Sequence, residues 1–145
     1  MSAESSVNLF LDACALIYRF EGAAEFRDAT ARRVAQLTRG KTKVRLAVSR
    51  LSLLECRVKP LREGDARTLQ HYDDFFAEVE IIEIDTKAID LATRLRALHG
   101  LKTPDAIQAA SALAWQPDAV FVTSDQAFGK VPALDVQLIT LPARA

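Results

Sequence analysis

Short apolar runs alternating with longer amphipathic stretches constrain this chain more than any other feature. Val7-Asn8-Leu9-Phe10-Leu11 stops at Asp12, and residues 44–48, 81–84, 119–123 and 136–141 repeat the pattern. Runs of this length, bounded by polar or turn residues, read as buried strands. Helix-like stretches fill the intervals: residues 13–20, 23–38, a helix capped by Ser49 and running to about Val58 before Pro60, 65–79, 86–99, and a nearly all-apolar one over 103–115. Gly40 and Gly100 close two of them. Strands alternating with helices in this way predict an α/β fold, with a five-stranded, mainly parallel sheet flanked by helices.

The 145 residues are expected to form one domain, 1–145. Half of them are hydrophobic, which is enough for a core and excludes extended disorder. Lys+Arg and Asp+Glu both number 19, so nucleic-acid binding by bulk positive charge is excluded, whereas binding through a local patch is not. The apolar runs are far shorter than the ~20 residues a membrane helix needs. No basic region followed by an apolar one marks residues 1–8 as a secretory signal, so a cytoplasmic protein is expected. Cys14 and Cys56 sit in no metal or redox motif and are expected to be buried, reduced thiols.

In an open parallel sheet, ligands bind outside the carboxyl ends of the strands. This chain directs carboxylates there. Asp12 ends the first strand, Asp125 follows the fourth, Glu55 lies about two turns into the helix after the second, and Asp105 lies in the first turn of Thr103-Pro104-Asp105-Ala106. Each also has a purely structural explanation. Asp12 begins a helix, Asp125 caps the turn at 126–129, and Thr103-Pro104-Asp105 makes a good helix start with Thr at N-cap and Pro at N1. Glu55 shares a helical face with Leu51, Leu54 and Val58. A carboxylate on an apolar stripe costs several kcal/mol unless it is paired, neutralised or at the rim.

Converging carboxylates repel. At ~4 Å and an effective dielectric of ~20, each pair costs about 4 kcal/mol, which protons or cations must relieve. Oxygen ligands without Cys or His favour Mg²⁺ or Mn²⁺ over Zn²⁺, and such ions suit phosphate-ester hydrolysis. Arg39, Lys41, Lys43 and Arg45 read as a solvated basic run, while Arg57, Lys59 and Arg62, close after Glu55, are candidates for a phosphate clamp. His99 before Gly100 suits a helix C-terminus. Tyr72, Phe75 and Phe76 read as core, with a dimer or partner surface as the alternative.

The segments Leu9-Phe10-Leu11-Asp12, Ser52-Leu53-Leu54-Glu55, Thr103-Pro104-Asp105-Ala106-Ile107-Gln108-Ala109-Ala110 and Val122-Thr123-Ser124-Asp125-Gln126-Ala127-Phe128 resemble the four acidic motifs of PIN-domain nucleases. Their order and spacing are similar to those of VapC-type toxins of bacterial toxin–antitoxin pairs. The resemblance implies a Mg²⁺- or Mn²⁺-dependent endoribonuclease with Asp12, Glu55, Asp105 and Asp125 as its acidic site. Asp12 and Asp105 would be the principal metal ligands. Glu55 would ligate the metal or orient its water, and Asp125 would complete the set. Thr123 and Ser124 would hydrogen-bond the ligands or the phosphate. RNA as substrate, a homodimer and a small VapB-type antitoxin follow from the same resemblance. An antitoxin Arg would block the acidic pocket, with the helices at 23–38 and 65–79 supplying an apolar groove. Two other functions are weighed against this one: a housekeeping nuclease in RNA processing or DNA handling, and a catalytically dead binding module, the latter disfavoured by the presence of all four acids.

Overall fold

A computed structural model describes residues 5–141. Residues 1–4 of the amino-terminal stretch, and the last four of the expected domain, lie outside the described residues. The elements are β1 (Ser6–Leu11), α1 (Ala13–Glu21), α2 (Ala24–Thr38), β2 (Lys43–Ser49), α3 (Arg50–Glu63), α4 (Ala66–Glu78), β3 (Glu80–Ile82), α5 (Thr86–His99), α6 (Thr103–Trp115), β4 (Val120–Thr123), a short 3₁₀ helix (Gln126–Lys130) and β5 (Asp135–Leu138). The five strands form one sheet in the order β3-β2-β1-β4-β5, parallel throughout. Leu9 is the register point at its centre, opposite Leu46 on one side and Val120 on the other.

Strand alternation assigns β1 side chains to opposite faces of the sheet. Leu9 and Leu11 join α1 to α4 in one core, around Leu16, Val48, Tyr72, Phe76 and Val122. Phe10 joins the other, under α5 and α6, with Phe121 stacked at 5.4 Å and Phe128 beyond it. Because α6 meets this core through Ala106, Ala109, Ala110 and Ala112, all fully buried, its backbone lies close to the sheet. Covered on both faces, the central strands can be apolar at every position, which is why they read as runs rather than alternations.

Several boundaries differ from the sequence-based expectation. Helix α3 continues through Pro60 to Glu63 and ends at Gly64 in the left-handed conformation (φ 66°). The proline removes one backbone donor near the helix end, and the burial of its ring offsets that loss. Lys102, not Thr103, is the N-cap of α6, and it makes no side-chain cap; Thr103 is the first helical residue and Pro104 the second. The strand expected to reach residue 141 ends at Leu138, and β3 covers 80–82 rather than 81–84. His99 does lie in the last turn of α5, before Gly100. Cys56 is buried and free, but Cys14 is only half-buried. No helix among the described residues is long and apolar enough to cross a membrane.

The largest correction concerns α3. Its expected apolar stripe faces solvent, with Leu54 60% and Val58 42% exposed. The helix packs instead through Ser52, Leu53, Cys56 and Pro60. Glu55 therefore stands at the border of this buried face rather than within an apolar one.

Candidate active site

The sheet order reverses direction between β1 and β4, so the loops after these two strands diverge to opposite faces and leave a crevice. Asp12 and Asp125 stand on those loops. The Asp12 amide donates to Val122 O at 3.3 Å, extending the β1–β4 pairing to the acid itself. Helices α3 and α6 approach from the two sides of the sheet and add Glu55 and Asp105. All four acids line one cavity of about 300 Å³, together with Cys14, Ile17, Tyr18, Gln108 and Phe128.

Asp12 is 3% exposed. It caps α1, with Oδ1 accepting from Ala15 N at 2.9 Å, and Oδ2 accepts from Thr123 Oγ1 at 2.5 Å. Burial pushes its carboxyl up from 3.8 to about 7; the hydrogen bonds from Thr123 and Ala15 pull the other way, and the charges of Asp105 and Asp125 add to the rise. Asp105, in the first turn of α6, is also raised, by burial first and the Asp125 charge second, against the opposing charge of Lys102. Asp125 caps the 3₁₀ helix through Ala127 N at 2.8 Å. Its own amide donates to Thr123 Oγ1 at 3.1 Å, so one hydroxyl ties Asp12 to the Asp125 loop. Glu55 Oε1 accepts from Gln108 Nε2 at 3.0 Å.

Thr123 thus bonds a carboxylate of the site, whereas the Ser124 hydroxyl meets Cys14 Sγ at 2.5 Å and no acid. Arg57, Lys59 and Arg62 do not line the acid cavity. Arg57 donates to Leu53 O at 2.8 Å, stands 3.8 Å from Asp73, and borders a separate depression with Leu54, Val58 and Leu61. In the other basic run, Arg45 is taken up by Glu80 and by the face of Trp115. Lys102, beside Asp105, is a cation whose charge acts on that acid, and the sequence reading passed over it. Gln108 was missed too, although it is a lone long polar side chain in an otherwise apolar helix.

Among the described residues, no three His, Cys, Asp or Glu side chains already form a coordination sphere. The donor set nevertheless fits a hard divalent cation. Mg²⁺ keeps several waters and needs only one or two carboxylates, in a cavity with room for that hydration. Burial first, and the neighbouring carboxylates second, raise Asp12 and Asp105, and a bound cation would offset both effects.

Three comparisons bear on this arrangement. No curated protein sequence matches the chain significantly. Among solved structures, the fold is similar to that in VapBC2 from Rickettsia felis bound to a DNA fragment from their promoter, at 19% identity and TM-score 0.73 over 91% of this chain and 98% of that one. It is similar to that in a toxin–antitoxin complex from Klebsiella pneumoniae, at 21% identity and TM-score 0.70 over 92% and 99% of the two chains. It also resembles that in VapBC-1 from nontypeable Haemophilus influenzae, at 18% identity and TM-score 0.69 over 91% and 98%. The PIN domain family matches residues 9–134, a span that holds all four acids. With its sheet order, its crevice between β1 and β4 and this match over most of its length, the chain belongs to the PIN domain family.

Proposed function

We propose that the protein is a divalent-metal-dependent endoribonuclease that acts as the toxin of a VapBC-type pair in the cytoplasm. The observation that carries this reading is the gathering of Asp12, Glu55, Asp105 and Asp125 around one cavity at the switch point of the sheet. Asp12 and Asp105 would hold Mg²⁺ or Mn²⁺, with Glu55 and Asp125 contributing directly or through water. The bound ion supplies the lowered pKa of attacking water and charge neutralisation at the phosphoryl and leaving oxygens.

The chain's own groups have separable tasks. Thr123 keeps the Asp12 carboxylate facing the cavity and favours its ionised form. Asp125, fixed by Ala127 N, closes the opposite wall. Glu55, steadied by Gln108, orients or deprotonates the attacking water. Lys102, at the start of α6, is placed to offset the negative field that an approaching phosphate meets. Arg57, Lys59 and Arg62 remain candidates for contacts to RNA away from the reacting bond, and Ser124 for a contact to the phosphate.

An apolar groove of about 330 Å³ runs between α1, α2 and α4, lined by Leu16, Phe20, Ala31, Val34, Ala35 and Phe75. The groove lies against the face of α1 opposite the acid cavity, so an extended peptide that crosses this helix can reach both. This suits a small VapB-type antitoxin that seats apolar side chains there and sets an Arg among the carboxylates. The outward leucines Leu54 and Leu61 with Val58 offer a second apolar face for a homodimer. Structured RNA incubated with the purified protein and Mn²⁺ tests the activity. Cleavage should stop with EDTA and in Asp105→Asn; cleavage that survives both would overturn the assignment.

A further inference from the structure

Gln108 is an exception in α6. It is 3% exposed in a helix whose other buried positions are Ala or Ser, and it lies one turn beyond Asp105, on the same helical face. Both hydrogens of its amide are engaged: Nε2 donates to Ser52 Oγ at 2.9 Å and to Glu55 Oε1 at 3.0 Å. Chemistry dictates this orientation. Turned over, the amide would set its carbonyl oxygen against the Glu55 carboxylate, two acceptors with no proton between them. The other end, Oε1, is buried without a hydrogen-bond partner, and Gln108 lines the acid cavity. An open buried acceptor is unfavourable compared with an apolar side chain of the same volume, so packing does not account for a glutamine here.

We propose that Gln108 is a positioning residue: its amide fixes the Glu55 carboxylate toward the cavity. One turn further along, Ser111 Oγ donates to Ile107 O and accepts from Ser49 Oγ at 3.0 Å, a second buried polar link, between α6 and the N-cap of α3. Gln108 is the cavity end of this seam, which keeps the helix carrying Glu55 in register with the helix carrying Asp105. The catalytic consequence rests on the nuclease reading. The geometry does not.

Two measurements separate these layers. The first uses the metal-free protein without RNA and follows the ¹H–¹⁵N side-chain amide of Gln108, assigned by its loss in Gln108→Leu. It should exchange slowly with water and move in Glu55→Ala. The second measures RNA cleavage at saturating Mn²⁺. There Gln108→Leu should lower kcat roughly 10–100-fold, the usual range for a residue that orients a metal-site ligand, while KM changes little. In a Glu55→Asp background, whose carboxylate is too short to reach the amide, the same substitution should have little further effect. An amide signal indifferent to Glu55→Ala, or an undiminished loss of kcat in the Glu55→Asp background, would overturn the proposal. A wild-type protein that cleaves no RNA would overturn the proposed function instead, and the amide signal would still decide the role of Gln108.

Discussion

Replacing Asp12 by Asn should make the metal-free protein more stable at neutral and alkaline pH while abolishing cleavage. The carboxyl is buried and lifted from an ordinary 3.8 to about 7. At roughly 1.4 kcal/mol per pH unit, holding it ionised in the folded state costs about 4 kcal/mol. The sign follows from proton linkage. Between pH 4 and 7 the folded protein holds the Asp12 proton and the unfolded chain has released it. Stability therefore falls as pH rises through this window, and the full cost is present above pH 7. Asn is uncharged at every pH and keeps an oxygen for Ala15 N, with Thr123 free to rotate its hydroxyl and accept from the new amide. Urea unfolding of both proteins in EDTA, from pH 4 to 8, isolates the effect as a difference curve. The two should agree near pH 4 and diverge to about 4 kcal/mol at pH 8, on the order of 10 °C in midpoint for a chain of this size. Parallel curves across this range would refute the claim that a buried, strained carboxylate occupies the end of β1.

Further outcomes follow from the same geometry. Mn²⁺ should stabilise the folded protein by about 2.7 kcal/mol at a hundred times its Kd, read as a rise in thermal midpoint that EDTA reverses; a midpoint unchanged across a wide titration would remove the metal site. Thr123→Val deletes the donor that favours ionised Asp12, so the acidic limb of the cleavage–pH profile should move upward, and an unmoved limb would show the bond to be inconsequential. Asp125→Asn should retain more activity than Glu55→Gln in a direct kcat comparison, because its oxygen still caps the 3₁₀ helix and still accepts water. Ala35→Asp places a charge in the apolar groove at an exposed helix position; co-purification should show antitoxin binding lost while free-enzyme cleavage persists.

The legible part of this fold is the part in which a residue's neighbours in sequence decide its environment. Leu9 to Leu11 and Phe121 to Val122 are apolar at consecutive positions because both faces of the sheet are covered, and an acid directly beyond such a run must emerge at the strand's carboxyl end. Asp12 and Asp125 could be placed on that logic alone. Helix α3 could not. Its leucines repeat at helical spacing, yet which side of a helix meets the sheet depends on what the partner helix offers, and here Ser52 and Cys56 face inward. The bond from Gln108 to Glu55 joins residues 53 positions apart, across two helices on opposite sides of the sheet edge, and no local pattern announces it.

The structural and chemical explanations of the acids, which the sequence leaves as rivals, turn out to be one explanation for two of them. Asp12 caps α1 and Asp125 caps the 3₁₀ helix, each through the oxygen nearest the first backbone amides. A helix N-terminus carries a partial positive charge, so a capping carboxylate is held partly neutralised before any cation arrives. That lowers the electrostatic penalty of gathering acids at one edge without removing it, as the elevated Asp12 carboxyl shows. It also leaves the second oxygen of each carboxylate uncommitted to its helix; on Asp12 that oxygen takes the Thr123 hydroxyl. Capping thus supplies the positional rigidity that a hydrated cation cannot impose on flexible side chains. Asp105 and Glu55, which cap nothing, depend on other devices: the fixed first turn of α6 for one and the Gln108 amide for the other. Loss of a cap should accordingly loosen the loop as well as the acid, whereas loss of the Gln108 amide should loosen Glu55 and the α3–α6 seam and leave the two capped acids in place.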